Sequence, residues 1–96
     1  MGETETSRNF IDAITLDREL SAEDAIGQIA SFHGTSAENI RASFFHLSNF
    51  EKGTITFERS VNGGHPCVGM TGKGEDGKTW YELIDKYTGQ PMPFVG

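Results

Sequence analysis

The chain has 96 residues, and its 14 acidic and 8 basic side chains give a formal net charge of −6 at pH 7. This length allows one modest hydrophobic core, so we expect a single small α+β domain over residues 1–96. The hydrophobic fraction of 35% is too high for a disordered chain. No apolar run approaches the roughly 18 residues that a membrane-spanning helix needs, so the sequence predicts no membrane insertion.

The acidic residues are concentrated at the front of the chain, where half of them lie within the first 24 positions. Direct binding to a nucleic-acid duplex depends on lysine and arginine side chains that neutralise phosphates, and this charge balance does not favour it. The acidic residues fit either a solubilising surface or a patch for a basic partner, such as a nucleic-acid-binding protein whose groove the patch would occupy. This acidic patch consists of Asp12, Asp17, Glu19, Glu23 and Asp24.

The two ends of the chain are predicted to be extended, over residues 1–8 and 90–96, with Phe94 and Val95 pinning the C-terminal tail to the body. The N-terminal segment MGETETSRNF lacks the basic start and the apolar stretch of a signal peptide. Cys67 is the only cysteine and cannot form an intrachain disulfide, whereas small secreted domains usually carry several. A cytoplasmic location is therefore the expectation.

The segment NFIDAITLDREL, residues 9–20, fits both strand alternation and a short helical stripe. We expect a strand over about residues 11–17, because Ile-Thr-Leu stands close before a helix start at Ser21. A short helix is the alternative. The strand would add a fourth member to a sheet formed by the second half of the chain.

Two consecutive helices are predicted next. Ser21, with an acidic residue three positions later, is an N-cap signal, and Gly34 is a natural helix end. The spacing of Thr35 and Glu38 is that of a capping box and predicts a second helix that closes at Ser48–Asn49. Apolar residues at helical spacing give this second helix a buried face of Ala37, Ile40, Phe44 and Leu47.

Residues 53–87 predict a three-stranded antiparallel β-meander. Asn62-Gly63 and Asp76-Gly77 are strong signals for hairpin turns of two residues. Two turns of that length place Met70 opposite Leu83. The helices are expected to pack on the apolar face, which this register assembles from Ile55, Phe57, Val61, Val68, Met70, Tyr81 and Leu83.

The same register sends a second set of residues to the outward face of the meander. Trp80 is the most informative of them, because a tryptophan among Thr, Glu, Gly and Lys needs either cover or a partner. The C-terminal tail could supply the cover, and self-association through this face would give a homodimer. The predicted protein-binding residues are Trp80, Glu82, Ile84, Lys86 and Glu58.

Residues 25–41 resemble a helix-turn-helix motif at three positions, Ala30, Gly34 and Ile40. His33 departs from the motif, since apolar residues usually flank the turn. Two capped helices joined by a glycine turn give the same spacing for packing reasons alone, so a DNA-binding transcriptional regulator is the alternative function. Its DNA-reading residues would be Asn39, Arg41 and His46.

Patterns for catalysis or metal binding are sparse. Zinc needs three or four converging ligands, but the chain has one cysteine and three separated histidines, so no metal site and no cofactor is predicted. A thiol-dependent enzyme that uses Cys67 with His65 or His46 is the second alternative. The run of glycines and lysines at residues 69–78 leads into a strand instead of a helix, which indicates a turn and not a phosphate loop.

The sequence therefore favours a non-enzymatic protein-interaction module, either an adaptor or a stoichiometric inhibitor. An acidic single domain, a predicted exposed Trp80 and the lack of an assembled catalytic group support this expectation. Small acidic proteins of this kind are common among phage and mobile-element accessory factors, for example anti-CRISPR-like inhibitors of host nucleic-acid-processing complexes.

Overall fold

The computed structural model describes residues 8–44 and 52–95. These residues form a mixed α+β structure with an antiparallel sheet. None of the described helices is long and apolar enough to cross a membrane. In chain order the elements are a 3-10 helix at Phe10–Asp12, β1 at Glu19–Ser21, α1 at Ala22–His33, α2 at Ala37–Ser43, β2 at Gly53–Asn62, β3 at His65–Gly74, β4 at Thr79–Ile84 and β5 at Pro91–Met92.

Within the described residues the sheet has five strands in the spatial order β1-β2-β3-β4-β5, and each strand is antiparallel to its neighbours. β2, β3 and β4 form a meander, as expected, but within a larger sheet that β1 and β5 extend at its two edges. β2 and β3 pair over ten residues each, which is the longest pairing in the sheet, and β3 is the central strand of the five.

The predicted strand over residues 11–17 is wrong. Phe10 and Ile11 donate their backbone N–H groups to carbonyls in the turn after β4, at 3.2 and 3.0 Å, and the chain coils there into a 3-10 helix. Leu16 makes an isolated bridge with Phe57 of β2. The additional strand is β1, which begins only at Glu19. The short-helix alternative is thus the closer description. The sequence pattern of this segment fits both a strand and a helix, so long-range hydrogen bonds determine its conformation.

The start and end of α1 agree with the prediction. The Ser21 hydroxyl accepts a hydrogen bond from the Asp24 N–H (3.0 Å), which satisfies one of the free donors of the first turn. Gly34 ends the helix with a φ of 67°, a left-handed conformation that glycine adopts at little cost.

The start of α2 lies one residue later than predicted. The Ser36 hydroxyl accepts from the Asn39 N–H (3.2 Å) and caps the helix, whereas the Thr35 hydroxyl accepts from the Asn39 side chain (2.7 Å). Two adjacent hydroxyl residues compete for the cap, and sequence spacing alone does not decide between them. Leu47 and the predicted end at Ser48–Asn49 lie outside the described residues.

The β2–β3 turn has two residues, as predicted, but they are Gly63 and Gly64. Both have positive φ, 60° and 86°, as a type I′ turn requires, and glycine meets this requirement more easily than asparagine. Asn62 instead pairs with His65 as the last residue of the strand. The register moves by two residues, so every side chain of β3 keeps its predicted face.

The β3–β4 turn has three residues, and this overturns the predicted faces of β4. Gly74 donates its N–H to the Lys78 carbonyl (2.8 Å), and Gly77 has a φ of 85°. One extra loop residue shifts the register by one position, which exchanges the two faces of a strand. Met70 consequently lies opposite Glu82 and not Leu83.

One hydrophobic cluster joins buried residues from the helices, the 3-10 helix and the sheet. Phe10 is fully buried and makes edge-to-face ring contacts with Phe32 and Phe57, with centroids 5.3 and 6.2 Å apart. We call the side of the sheet that contributes to this cluster the core face and the opposite side the outer face. The core face carries Ile55, Phe57, Val68, Met70 and Ile84 in the cluster, with Trp80 packed against it.

Candidate protein-interaction surface

The C-terminal tail, residues 91–95, lies across the outer face of the sheet. It starts as β5 beside Leu83 and ends at the β2–β3 turn, where the Val95 side chain lies against Gly63. Asn62 fastens it there, since its amide donates to the Pro93 carbonyl (2.9 Å) and its oxygen accepts from the Val95 N–H (2.8 Å). Asn62 is buried, so water competes little for these two bonds.

The tail places an aromatic pair on the protein surface. Phe94 is 66% exposed although its ring stacks on Tyr81, with centroids 6.2 Å apart and an interplanar angle of 28°. The Tyr81 hydroxyl is hydrogen-bonded to the Ser60 hydroxyl (2.7 Å) and thereby crosses over Gly69 of β3. A side chain at Gly69 would collide with the tyrosine, so this glycine permits the crossing. We call Tyr81, Phe94 and Val95 the aromatic surface.

The path of the tail explains two buried residues on the outer face. Cys67 and Leu83 are only 1% and 3% exposed, yet neither points to the core face. The tail has to pass over this part of β3 and β4 to reach Asn62. The tail thus covers Cys67 and Leu83, and not Trp80, for which it was a possible cover on the predicted register.

The environment of Cys67 opposes thiolate formation. Burial raises the pKa of the Cys67 thiol, and the charge of Asp85 raises it further, while a hydrogen bond with the Ser60 side chain lowers it. Ser60, and not Glu58, lies opposite Cys67 in the sheet. His65 lies two residues away on the same face and is exposed, and His46 lies outside the described residues.

We expect Cys67 to react with iodoacetamide at least about tenfold more slowly in the folded protein than in urea at pH 8, because the reactive thiolate is disfavoured and covered. The raised pKa also makes stability fall as pH rises above about 8.5, since the unfolded chain then loses a proton that the folded chain keeps. Cys67→Ala should reduce this decline in urea titrations. Rapid labelling of the folded protein at pH 7 would contradict the conclusion that the Cys67 thiol is covered and has a raised pKa.

The predicted protein-binding residues do not form one surface. Trp80, Glu82 and Ile84 belong to the core face, while Glu58 is exposed on the outer face. Lys86 lies beyond the end of β4 and places its Nζ atom 4.9 Å from the centroid of the Tyr87 ring. The prediction of an exposed Trp80 anchor is wrong, because the three-residue turn after β3 exchanges the faces of β4.

The residues of the acidic patch are all exposed. They follow one another through the 3-10 helix, the loop after it, β1 and the first turn of α1. Asp24 and Glu23 also lie at a helix N-terminus, where negative charge is favourable. The N-terminal part of the described chain thus offers Asp12, Asp17, Glu19, Glu23 and Asp24 to solvent.

Two of the three predicted DNA-reading residues are partly engaged within the protein. Asn39 uses its side-chain amide in the bond to Thr35, and Arg41 is half-buried. His46 lies outside the described residues. DNA binding therefore stays a prediction that no contact in this part of the chain favours.

Clefts lined by described residues lie beside both helices. One, of about 370 Å³, lies beside α1 and is lined by Glu23, Asp24 and Phe32 among others. Another, of about 310 Å³, includes His33, whose Nε2 atom lies 2.9 Å from the Gly89 carbonyl oxygen. Across the described residues, no group of three or more His, Cys, Asp or Glu side chains is placed to hold a metal ion.

Asn62, Tyr81 and Phe94 are the surface-forming residues that the sequence analysis misses or misplaces. Asn62 resembles a turn residue in sequence, and its bonds to Pro93 and Val95 join positions more than 30 residues apart. The one available signal is Gly69, because a glycine inside a strand often marks the close approach of another group. Comparison of the chain with protein-family models, curated proteins and solved structures found no match.

Proposed function

We propose that the protein is a small acidic, non-enzymatic protein-interaction module, an adaptor or a stoichiometric inhibitor, and that it holds its partner through the aromatic surface. One observation carries this proposal: Phe94 is 66% exposed while its position is fixed. Its neighbours along the tail are hydrogen-bonded to buried Asn62, and its ring stacks on Tyr81. An apolar side chain that is both exposed and preorganised gains contact area on binding without the usual loss of conformational entropy.

The acidic patch supports a basic partner, including a nucleic-acid-binding protein. Complementary charge speeds encounter and fixes orientation, whereas the aromatic anchor contributes most of the affinity. The contributions of the acidic patch and of the aromatic anchor can therefore be separated by the salt dependence of binding. Raising the salt concentration screens the attraction between exposed charges that lie farther apart than the Debye length, which is about 10 Å at 0.1 M salt, and leaves the apolar contact.

The test compares affinity capture by the wild-type protein, Phe94→Ala and Tyr87→Ala. Tyr87 is a matched control, because it is 55% exposed but lies in the turn after β4, outside the aromatic surface. We expect Phe94→Ala to weaken binding of the captured partner at least about 30-fold, the loss typical of an interface hot spot. Its free energy of unfolding should change by less than about 1 kcal/mol, because most of the ring is already in solvent.

Binding at one-to-one stoichiometry, lost in Phe94→Ala and kept in Tyr87→Ala, would support the proposal. Loss of the partner's own activity on binding would identify an inhibitor, and unchanged activity would identify an adaptor. Equal capture by all three proteins would exclude the aromatic surface as the binding site. A partner that binds only at low salt and ignores Phe94→Ala would leave the acidic patch as the binding element.

A further inference from the structure

The distal half of β2 has an open edge among the described residues. β1 pairs with Thr54 to Thr56, and the Asp17 N–H then donates to the Phe57 carbonyl (2.7 Å). No described residue pairs with the next five residues, 58–62, on that side. Open strand edges are sites at which another strand can add to a sheet.

The backbone groups at this edge can be assigned. Residues in a strand direct their N–H and C=O groups alternately to the two neighbouring strands. Because the Phe57 carbonyl points to the β1 side, Arg59 and Val61 also direct their N–H and C=O groups to that side. Glu58, Ser60 and Asn62 point to β3. Four backbone groups therefore have no backbone partner among residues 8–44 and 52–95 and can pair with an added strand.

Residues 58–62 include the charged side chains of Glu58 and Arg59 but no proline and no bulge. Natural edge strands are often blocked by lysine, proline or a bulge. Here Val61 is 64% exposed, and it stands beside Arg59, whose long aliphatic stem can cover a neighbouring apolar residue.

We infer that residues 58–62 pair antiparallel with the same residues of a second copy of this chain, about a two-fold axis that passes at Ser60. Arg59 then lies opposite Val61 of the second copy, and Glu58 lies opposite Asn62 of the second copy. The two Arg59–Val61 pairs form four backbone hydrogen bonds. The resulting sheet has ten strands and continues through the dimer.

Charge and length select this register over its neighbours. An axis at Arg59 would oppose two arginines, and an axis at Glu58 would oppose two glutamates, which is unfavourable in a cross-strand pair. An axis at Val61 avoids like charges, but it shortens the pairing and places Arg59 opposite Gly63, which belongs to the β2–β3 turn. The axis at Ser60 uses all five residues, and the Gly63-Gly64 turn has no side chains to collide with the loop around Asp17 of the second copy.

The interface is small and each copy carries a charge of −6, so the dimer is weak and strengthens as salt screens the repulsion. The β2 edge and the aromatic surface adjoin at Ser60 and Asn62. The pairing nevertheless uses backbone groups of Arg59 and Val61, whereas the aromatic surface presents the side chains of Tyr81, Phe94 and Val95. A failure of one proposal therefore leaves the other standing.

The test is sedimentation velocity of the whole chain from about 5 to 500 μM at low and high salt. Wild type should show a concentration-dependent dimer that is stronger at high salt. Val61→Pro should weaken it at least about tenfold, because proline removes an outward N–H without breaking a β2–β3 bond. Val61→Thr keeps the N–H and the strand propensity and should still dimerise. Thermal unfolding checks that both variants fold.

Amide hydrogen exchange gives the independent readout. The Arg59 and Val61 N–H groups should exchange fast at low concentration and become protected at high concentration. A monomer at all concentrations, or a dimer that Val61→Pro does not weaken, would overturn the inference. So would a dimer that leaves these two amides unprotected. Protection that appears only when a different protein is added would assign the edge to that protein instead.

Discussion

Replacing Trp80 with alanine is expected to lower the free energy of unfolding by about 2–3 kcal/mol. Trp80 lies on the core face, is half-buried against the hydrophobic cluster and covers Gly72. Truncation of a fully buried tryptophan costs about 3–5 kcal/mol, and partial exposure reduces that value. In a chain of this length the melting temperature should fall by roughly 10–20 °C.

Tyr81→Ala is the matched control, because Tyr81 is the next residue and also aromatic. It is 36% exposed on the outer face, where its main contacts are Ser60 and Phe94. We expect a loss of about 1 kcal/mol. The two variants together report which face of β4 meets the core. A larger loss for Tyr81→Ala than for Trp80→Ala would restore the register of two two-residue turns.

The local signals in the sequence are enough for both ends of α1 and for the positions of β2, β3 and β4. Ser21 and Gly34 act on their immediate neighbours, so α1 begins and ends where these residues predict. The same holds for the positive-φ turn near Gly63. Its length is as predicted, and only its position is wrong, since it starts one residue later, at Gly63 instead of Asn62. Each of these features depends on a few consecutive residues.

The faces of β4 depend on a count that the sequence leaves open. Asp76-Gly77 fits both a two-residue turn and the end of a three-residue turn, because both need a positive φ at Gly77. The apolar and aromatic residues 80, 81, 83 and 84 occupy both faces of the strand, so alternation does not choose between the two. The predicted interface is wrong for this reason, since the face on which Trp80 lies depends entirely on the number of residues in the β3–β4 turn.

Prediction of the aromatic surface requires contacts between residues that are distant in the sequence. Its geometry rests on Asn62, which reaches the tail backbone across more than 30 residues. Prolines at positions 91 and 93 predict an extended tail, and this is what the structure contains. They do not determine which face the tail crosses, because that choice follows from the faces of β4. An error of one residue in a turn therefore also misplaces the surface proposed to bind a partner.

Gly72→Ala is expected to lower the free energy of unfolding by about 2–3 kcal/mol. A Cβ atom at this position would fall inside the contact distance of the Trp80 indole ring, whose nearest atoms lie in the body of the ring. The ring cannot turn aside as a flexible chain end can, and overpacking of a tight site typically costs about 1–3 kcal/mol. Urea titration with constant m-values measures the loss.

Gly27→Ala supplies the opposite control. Gly27 lies within α1, and a Cβ atom there meets no other atom within 4 Å. Alanine should therefore stabilise the protein by about 0.5–1 kcal/mol through its higher helix propensity. Glycine-to-alanine exchange thus has opposite signs at the two sites, because Gly72 is required by the tryptophan above it. A loss below about 1 kcal/mol in Gly72→Ala would contradict the contact between Gly72 and the Trp80 indole.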